Sequence, residues 1–518
     1  MNKPEIRNWF LKPECGISQL TAMLCETFSL ETESEDNLGS VTLMYDHNRH
    51  IWHANRLLVR KCKNHFQLYT DDQSEEISGV KNDARFWWEL PESAMRETLK
   101  PIIDLRAFMP VAEMQLSRSN YMLRNADDKI VVRLSLSTFS EIQAEGATET
   151  SLPKSSQFVQ IKSLRGYHGP FKTLVKLLQP CFDEELESIS LKAIMQLHGY
   201  GPAQDESNAD QYGITWDEPV EQAIRQMSLL MLQVARRNEQ GVIDDIDTEF
   251  LHQYRVSLRK TRSLLNLMKA ALPGEVHLRL KVLLAELSGV TNMLRDLDVF
   301  LLERDYYQAL LPENFADGLS RLFRMIAADR EKARKFVNKS FVSAKHAQAF
   351  DEVISLLQAE PCFESEVSRK PVLQVAKKKI LNRYRRISMV GNEIHEGTPD
   401  EDVHQLRIEC KKLRYMMEFF AELFPKKRIR QLIKSLKKLQ TILGDFNDYS
   451  VQKEFLADYE KHHKKSSDVS AAINGVIAVL HQKQLAERTK VQQAFSAFND
   501  DDTAAEFQAL FGKHKVGE

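Results

Sequence analysis

Two stretches of the sequence place a histidine and a run of cations at the same helical positions. The first, FLHQYRVSLRKTR, extends from Phe250 to Arg262, and the second, DVHQLRIECKKLR, extends from Asp402 to Arg414. An α-helix turns by about 100° per residue, so one histidine and three cations of each stretch fall within about 80° of the helix circumference. They are His252, Arg255, Arg259 and Arg262 in the first stretch, and His404, Arg407, Lys411 and Arg414 in the second. Arginine offers phosphate oxygens two parallel hydrogen bonds and lysine adds a mobile point charge, so each stretch predicts a helix with an anion-binding edge.

A solvated basic face is the common alternative, and the scarcity of acids argues against it. Exposed helix faces usually mix charges of both signs at i, i+4 spacing. Between His404 and Arg414 the one acid is Glu409, which lies off the cationic edge. Clustered cations repel each other, so we expect an anion to offset them. Two such helices could line both sides of one groove and hold a linear polyanion along its length.

A longer internal repeat contains both stretches. His252 and His404 are 152 positions apart. The same spacing relates Pro219 to Pro371, Pro273 to Pro425, Asp296 to Asp448 and Val299 to Val451. A register kept over so many residues without an insertion implies duplication of a helical unit.

The periodicity of apolar side chains predicts the elements that position these residues. From Pro219 onward it predicts eight helices, near 219–240, 248–272, 276–310, 313–345, 371–392, 400–424, 426–460 and 467–497. Residues 1–200 instead alternate short β-rich runs with turn-forming residues, which predicts an antiparallel sheet. The predicted fold class is α+β multidomain, divided into a β domain at 1–198, a linker at 199–214, a helical domain at 215–500 with repeats at 215–347 and 367–500, and a C-terminal tail at 501–518.

Composition and charge exclude several classes of protein. With 43% hydrophobic and 28% charged residues, and no apolar run near the ~20 residues of a membrane helix, the chain reads as globular and soluble. The N-terminus lacks the apolar segment of a signal peptide, so we expect a cytoplasmic protein. The six cysteines are scattered, which disfavours a disulfide framework or a zinc site. The net charge is −2, but residues 1–215 hold 23 basic and 30 acidic residues, so the basic excess lies C-terminal.

The doubled pattern H-x-x-R-x-x-x-(R/K)-(R/K)-x-R resembles the CHAD family, the conserved-histidine α-helical domains. The resemblance covers roughly residues 215–500 and implies two pseudo-symmetric four-helix bundles around a basic cavity that binds inorganic polyphosphate. It adds Lys260 and Lys412 to the predicted site, and Lys434 and Lys437 follow in the next basic helix. The first copy departs from the family by carrying Thr291-Asn292 where the second has Leu443-Gly444, so the two halves need not bind equally.

Aspartates close each repeat, and they allow two interpretations. Asp296, Asp298, Asp445 and Asp448 could form a metal cluster. We favour the alternative that each aspartate pairs with a neighbouring arginine or caps a turn.

The N-terminal residues resemble a diverged CYTH domain, which implies a barrel-like triphosphate tunnel of antiparallel strands. The stretches YDHNRHIWHANRLLVRKCKNHFQLYT, RFWWELPE and FVQIKSL carry this resemblance. Carboxylates that would hold Mg²⁺ or Mn²⁺ for triphosphate hydrolysis are replaced at Arg133, Ser137, Gln160 and Lys162, whereas the cations Arg60, Lys61 and Arg118 remain. We therefore expect no catalytic residues, no metal and no cofactor, and a tunnel that still holds anions.

Two further functions remain open from the sequence. The chain could be an active metal-dependent inorganic triphosphatase whose acids include Glu31, Glu33 and Glu35, although a solvated loop is the preferred interpretation of these three. The basic run KKKILNRYRR at 377–386 would suit nucleic acid, but Tyr384 is its only aromatic residue for stacking bases. The favoured reading is a non-catalytic polyphosphate-binding protein, which could associate with polyphosphate granules, with no membrane partner and an open oligomeric state.

Overall fold

A computed structural model of the chain describes residues 5–15, 17–62, 64–70, 74–81, 83–142, 155–186, 212–395, 397–462 and 466–512. For residues 17, 18, 35–38, 62, 184 and 186 it describes the backbone alone. The chain divides into two compact units, Met1–Asn208 and Ala209–Glu518. This boundary falls inside the predicted linker, whose residues 199–211 lie outside the described ranges.

The first unit contains a nine-stranded antiparallel sheet. Its strands are β1 (Ile6–Leu11), β2 (Ser29–Asp46), β3 (Leu57–Cys62), β4 (His65–Tyr69), β5 (Ser74–Ser78), β6 (Phe108–Arg124), β7 (Ile130–Glu141), β8 (Ser155–Ser163) and β9 (Phe182–Leu186). They pair in the order β5-β4-β3-β2-β6-β7-β8-β1-β9. Because no pairing among the described residues joins β5 to β9, closure of the sheet into a tunnel stays a prediction.

Helices cover parts of this sheet and bury its core. They are α1 (Ile17–Cys25), α2 (His50–His53), α3 (Ala94–Ile103) and α4 (His168–Leu178). α1 and α4 pack on the face that carries Trp9, Leu134 and Ile161. On the opposite face, Met114 and Phe158 belong to a second buried cluster.

The second unit is helical throughout its described elements. Its helices are α5 (Val220–Ile243), α6 (Thr248–Leu267), α7 (Gly274–Gly289), α8 (Asn292–Leu302), α9 (Arg304–Leu310), α10 (Ala316–Phe341), α11 (Ala344–Gln358), α12 (Val372–Asn392), α13 (Asp400–Phe419), α14 (Lys426–His462), α15 (Ser467–Arg488), α16 (Val491–Phe498) and α17 (Asp501–Phe511). The predicted α+β fold class, with an antiparallel sheet followed by a helical region, is confirmed. None of the helices within the described ranges is both long enough and apolar enough to span a membrane.

The duplication is visible in the helix boundaries. α5, α6 and α7 begin at Val220, Thr248 and Gly274, and α12, α13 and α14 begin 152 positions later. An isolated β-bridge joins Pro219 to Pro371, so a residue pairs here with its own counterpart in the other repeat. That contact is the mark of a local two-fold axis between the repeats.

Backbone hydrogen bonds beside this bridge show the same reciprocity. Val220 N donates to Lys370 O over 3.0 Å, and Val372 N donates to Glu218 O over 2.8 Å. Each bond is the other one shifted by 152 positions. The two-fold relation therefore places α6 and α13, which carry the predicted cationic edges, in corresponding positions, where they pack against each other.

One predicted helix is interrupted in the first repeat only. The helix expected over 276–310 is divided into α7, α8 and α9, whereas its counterpart α14 is continuous. The first break lies at Thr291, which is buried and donates its hydroxyl to Ser288 O over 2.9 Å. Such side-chain bonds to the backbone compete with helix geometry. The second repeat has Leu443 at this position and continues the helix.

The segment predicted as a C-terminal tail contains a packed helix, α17, over most of its described part. Phe507 of α17 is fully buried and stacks on Tyr384, with 3.9 Å between ring centroids. Asp500 caps the helix by accepting a hydrogen bond from Thr503 N over 2.7 Å. The expectation of a tail is corrected for Asp501–Phe511, because two phenylalanines and a leucine supply a buried face that the acidic start of the segment obscured.

Candidate anion-binding site

The cationic edges of α6 and α13 meet at Arg259. Burial first, and then the positive charges of Arg407, Arg259 and Arg414, lower the pKa of Lys411 to about 8. Burial also lowers the pKa of Arg407, and the charge of Arg259 lowers it further. Arg259 belongs to the first repeat, whereas Lys411 and Arg407 belong to the second. The charges of the two repeats therefore act on each other at close range.

The first repeat adds a buried arginine to this cluster. Burial lowers the pKa of Arg255, opposed by Asp296 and aided by Arg259 and Arg295. Burial likewise lowers the pKa of Arg295, and the positive charge of Arg259 lowers that pKa further. Arg295 was not among the predicted site residues. Its position in the repeat corresponds to Asn447, which was not a predicted site residue either, so the repeat gave no signal for Arg295.

Arg255 and Arg407 occupy equivalent positions but have different partners. Arg255 Nη1 donates to Thr291 Oγ1 over 2.8 Å and to Asn292 Oδ1 over 2.7 Å. Arg407 Nη2 donates to Asp448 Oδ1 over 3.3 Å. The first repeat thus orients its arginine with neutral groups and the second with a carboxylate. This is the structural consequence of the departure from the family pattern at Thr291-Asn292.

The histidines differ in their surroundings as well. His404 is exposed, and its Nδ1 lies 2.8 Å from Asn447 Oδ1. Asn447 in turn donates from Nδ2 to Asp448 Oδ1 over 3.4 Å, which orients its amide oxygen toward the ring. Nδ1 of His404 is therefore the donor to Asn447. Nε2 of the neutral ring is then an acceptor, and it donates to an anion only when the ring is protonated. His252 is half-buried at the equivalent position.

Three arginine nitrogens in the cluster are buried and make no hydrogen bond within the described part of the chain. They are Arg295 Nη1, Arg407 Nε and Arg414 Nε. Arg414 Nε lies 3.8 Å from Glu418 Oε1, which is too long for a hydrogen bond. Buried donors of this kind are costly unless something accepts from them. Their presence beside several cations favours an oxygen-rich anion as the partner.

Lys260 and Lys412, which the family resemblance added to the predicted site, lie beside the cationic edges and not on them. Lys412 Nζ donates to Glu409 Oε1 over 3.0 Å, and Glu409 is buried. The two residues share a helix face, on which Lys412 lies roughly 100° and Glu409 roughly 160° from Lys411 around the helix. Lys260 is half-buried at the corresponding position of α6. The assignment of Lys412 to the site stays a prediction, and its ammonium group also pairs with Glu409.

The lysines of α14 lie outside the cluster of buried cations. Lys437 is exposed, and its Nζ is 3.6 Å from Glu418 Oε1, the acid next to Arg414. Lys434 is exposed and lines a shallow pocket with Lys426, Lys427, Arg430 and Gln431. Lys437 can extend the edge beyond Arg414. Lys434 belongs to a separate basic surface at the start of the helix.

Two of the four aspartates pair with arginines, as the preferred interpretation predicted. Asp298 is buried and accepts a hydrogen bond from Arg330 Nε over 2.8 Å. Asp448 accepts from Arg407. Among the described residues no group of three or more histidine, cysteine or carboxylate side chains is arranged to hold a metal ion. These two contacts confirm the structural role for Asp298 and Asp448.

A row of uncharged polar side chains crosses the N-terminal sheet. Asn8, Gln160, Ser135, Asn120 and Ser34 lie opposite one another in consecutive strand pairs. Gln160 Nε2 donates to Asn8 Oδ1 over 3.0 Å, and Ser135 Oγ donates to Asn120 Oδ1 over 2.6 Å. Asn120 Nδ2 donates to Ser34 Oγ over 2.9 Å. These neutral groups satisfy each other, so the row offers a cation no carboxylate.

The four residues predicted to replace carboxylates share one face of the sheet. Arg133 lies opposite Lys162, and Ser135 lies opposite Gln160 in the next position on that face. Ser137 follows on the same strand and accepts a hydrogen bond from Arg118 Nε over 3.1 Å. These four positions therefore carry cations, an amide and a hydroxyl where the resemblance implies acids. Glu31 lies on the same face, opposite Met122, and Glu33 approaches Arg133 there. Neither belongs to a group of three or more metal-ligating side chains among the described residues.

The remaining N-terminal predictions divide between two faces. Arg60 lies opposite Phe66, whereas Lys61 lies at a register shift of β3 and approaches Glu76. Glu76 lies opposite Gln67, which faces the other side of the sheet from Phe66, so the two cations have neighbours on different faces. Lys61 Nζ is also 3.5 Å from Glu76 Oε2. The joint assignment of Arg60 and Lys61 to one anion site is corrected on this ground.

The acids considered for an active triphosphatase lie on a strand instead of a loop. Glu31 and Glu33 are part of β2. Glu31 Oε2 accepts a hydrogen bond from Arg124 Nε over 2.9 Å, and Glu33 Oε1 lies 3.2 Å from Arg133 Nη1. The side chain of Glu35 lies outside the described part of the chain.

The helical unit carries a recognisable family signature. Residues 228–457 match the family model of the CHAD domain. The predicted CHAD domain is confirmed for these residues. The match includes both cationic edges, Arg295 and most of α14. For residues 1–198 the CYTH resemblance stays a prediction, with which the antiparallel sheet is compatible.

Individual proteins similar to this chain cover part of it. The uncharacterized protein MT2285 of Mycobacterium tuberculosis (strain CDC 1551 / Oshkosh) is 25% identical over 214 residues, which are 40% of this chain and 39% of that protein. Uncharacterized protein Rv2226 of Mycobacterium tuberculosis (strain ATCC 25618 / H37Rv) matches with the same identity and coverage. The chain thus spans 39% of the length of these relatives.

Two solved structures resemble the helical part. The CHAD domain from the plant Ricinus communis aligns with a TM-score of 0.45 and 22% identity, over 57% of this chain and 94% of that chain. PptA from Streptomyces chartreusis aligns with a TM-score of 0.43 and 17% identity, over 54% of this chain and 100% of that chain.

Proposed function

We propose that the helical unit binds inorganic polyphosphate between the cationic edges of α6 and α13. The observation that carries this proposal is the packing of α6 against α13. It brings Arg259 of the first repeat near enough to Arg407 and Lys411 of the second for its charge to add to the lowering of their pKa by burial. Cations from separate helices are held together there against their mutual repulsion. The CHAD resemblance implies the same ligand.

A linear chain of phosphates fits the chemistry of this edge better than a compact anion. The edge extends along α6 and α13 from the histidines to Arg262 and Arg414, so successive side chains meet successive phosphates. Buried donors on Arg295, Arg407 and Arg414 need oxygen acceptors, which every internal phosphate supplies. Binding should then derive mainly from phosphate contacts and released counterions, and weaken steeply with salt.

The double variant Arg259→Ala, Lys411→Ala tests the proposal. Removing two charge-assisted interactions should lower the affinity for long polyphosphate by about a hundredfold or more, since each is worth about 1.5–3 kcal/mol. The slope of log K against log salt should also fall, by about 0.7 for each cation that no longer meets a phosphate. Retention of a labelled long chain, measured at several salt concentrations, provides both quantities.

A matched control separates the edge from general charge. Arg237→Ala with Lys345→Ala removes two exposed cations from α5 and α11 and should leave the affinity within about twofold. Circular dichroism verifies that each variant is folded. Unchanged retention by the Arg259, Lys411 variant would refute the proposed site. Displacement of the labelled chain by single-stranded RNA as readily as by polyphosphate would favour nucleic acid instead.

We infer that the N-terminal sheet is non-catalytic. The support is the row of mutually bonded amides and hydroxyls that includes Gln160 and Asn8, and the position of Arg133 opposite Lys162. The acids Glu31 and Glu33 on this face are paired with arginines. Incubation of the protein with tripolyphosphate and Mg²⁺ or Mn²⁺ tests this inference through the orthophosphate released. Turnover at about 1 s⁻¹ or faster, the usual range of enzymes, would establish the triphosphatase alternative.

A further inference from the structure

A second basic site lies where α12 faces α13. It is a pocket of about 280 Å³ lined by Leu267, Lys379, Asn382, Arg383, Arg386 and Met416. Three of these six residues are cations, and a fourth is an amide that can donate a hydrogen bond. The pocket therefore offers a concave, positively charged surface of small dimensions.

One buried carboxylate faces several cations beside this pocket. Glu409 is 1% exposed and accepts hydrogen bonds from Arg383 Nη1 and from Lys412 Nζ, each on a different oxygen. Arg386 Nε lies 3.8 Å from Glu409 Oε2, too far for a hydrogen bond, and its side chain is 61% exposed. The single negative charge of Glu409 is therefore shared by Arg383, Lys412 and Arg386. Arg386 makes no hydrogen bond to it.

Lys379 adds a further charge that no acid offsets through a hydrogen bond within the described residues. Its Nζ donates over 2.7 Å to the carbonyl of Leu267, the last residue of α6. Burial lowers the pKa of Lys379, and the positive charges of Arg383, Lys269 and Lys378 lower it further. The ammonium group is therefore both desolvated and crowded by like charges, a situation that an anion in the pocket would relieve.

The first repeat shows that the fold does not require this basic pocket. At the positions equivalent to Lys379, Asn382, Arg383 and Arg386, 152 residues earlier, it has Met227, Leu230, Met231 and Val234. Met227 and Met231 are buried, and the position of Glu409 is taken by Ser257. One copy of the duplicated helix packs apolar side chains where the other copy presents cations. The pocket is specific to the second repeat.

The pocket is also separate from the edge proposed for polyphosphate. Lys412 and Met416 lie on the helix face of Glu409, whereas Lys411 lies roughly 100–160° away from these three residues, on the face that meets Arg259. Lys412 and Met416 bound the pocket region, and no lining residue belongs to the edge.

We propose that this pocket binds a small anion of the phosphate class, such as orthophosphate or pyrophosphate, independently of the chain-binding edge. Lys379, Arg386 and Asn382 supply its donors, while Arg383 stays with Glu409 and brings positive charge to the pocket wall. A tetrahedral oxyanion matches this set because it accepts hydrogen bonds in several directions from ammonium, guanidinium and amide groups.

The substitutions Lys379→Met and Arg386→Val, made together in the full chain, test this proposal. They import the residues that the first repeat carries at the same helix positions, and they leave the buried pair of Arg383 and Glu409 intact. Titration of the protein with orthophosphate, and separately with pyrophosphate, by ³¹P NMR or calorimetry should show at least about a tenfold loss of affinity. If this variant does not fold, the exposed Arg386→Gln change alone should still weaken binding severalfold.

Two controls make the result specific. Arg385→Gln removes one charge from the same helix, as Arg386→Gln does. Arg385 contacts Gln508 outside the pocket, so orthophosphate affinity should not change. Arg259→Ala should weaken binding of long polyphosphate and spare that of orthophosphate. Wild-type titration curves for the Lys379, Arg386 variant would overturn the proposal. So would an equal loss of affinity for long chains, because the occupant would then be part of the polyphosphate itself.

Discussion

Raising the pH from 7 to 9 should weaken polyphosphate binding through Lys411. Its pKa in the free protein is about 8, against an ordinary value of 10.5, because burial and the charges of Arg407, Arg259 and Arg414 disfavour the protonated form. A bound polyanion favours that form and raises the pKa again. The complex then keeps a proton that the free protein loses above pH 8, so affinity falls as the pH rises through that value.

The magnitude follows from the size of the pKa shift. If binding restores an ordinary pKa, the affinity should fall by about tenfold between pH 7 and pH 9, which corresponds to about 1.4 kcal/mol. The ligand contributes little to this change, since the second ionisation of a terminal phosphate lies near pH 6 and is nearly complete at pH 7. Fluorescence anisotropy of a labelled long chain, at constant ionic strength, measures the affinity at each pH.

Two substitutions isolate the responsible group. Lys411→Arg keeps a charge that does not titrate in this range and should reduce the change to less than about twofold. Lys437→Arg makes the same change at an exposed lysine and should retain the full loss of the wild type. The reasoning would be refuted if the wild-type affinity were constant over this range, or if Lys411→Arg lost affinity as steeply as the wild type.

Three further predictions concern packing and the first repeat. Glu221→Gln should lower the free energy of unfolding by about 3–5 kcal/mol in urea denaturation, because it leaves the buried Arg225 without its carboxylate partner; a loss below about 1 kcal/mol would contradict this. Gly241→Ala should cost about 1–3 kcal/mol by the same measurement, since the new Cβ would lie 2.0 Å from the ring of Phe250; wild-type stability would show that the ring moves freely. Arg295→Asn, which installs the residue of the second repeat, should weaken polyphosphate retention by about tenfold, and unchanged retention would remove Arg295 from the site.

Much of the helical unit could be predicted because its information is local. Helix starts at Val220, Thr248 and Gly274 recur after 152 residues, and the spacing that revealed the repeat lies in the sequence itself. The predicted helix boundaries were wrong where a side chain competes with the backbone for a hydrogen bond, or where the packing partner of a helix is distant in the sequence. Thr291 ends a helix through its hydroxyl bond, and the helix containing Phe507 forms because that ring stacks on Tyr384, over a hundred residues away.

For the N-terminal sheet, prediction from the sequence was limited by strand register. Loss of the expected carboxylates could be inferred from residue types, but their replacement by a row of mutually bonded amides and hydroxyls could not. Asn8 and Gln160 are brought together only by the register of β1 with β8. The pairing of β3 with β4, which has a register shift at Lys61, gives Arg60 and Lys61 different neighbours, and residue types along the chain do not reveal that shift.

The sequence by itself determined the duplication, and it placed a histidine and three cations on one stripe of each basic helix, because helical periodicity depends only on spacing along the chain. The tertiary structure alone decided which charges meet. It placed the charge of Arg259 near Lys411 and near Arg295, and it placed Lys412 within hydrogen-bonding distance of the buried Glu409. Coulomb interactions and hydrogen bonds depend on distances between helices, and the packing of side chains across the local two-fold axis sets those distances.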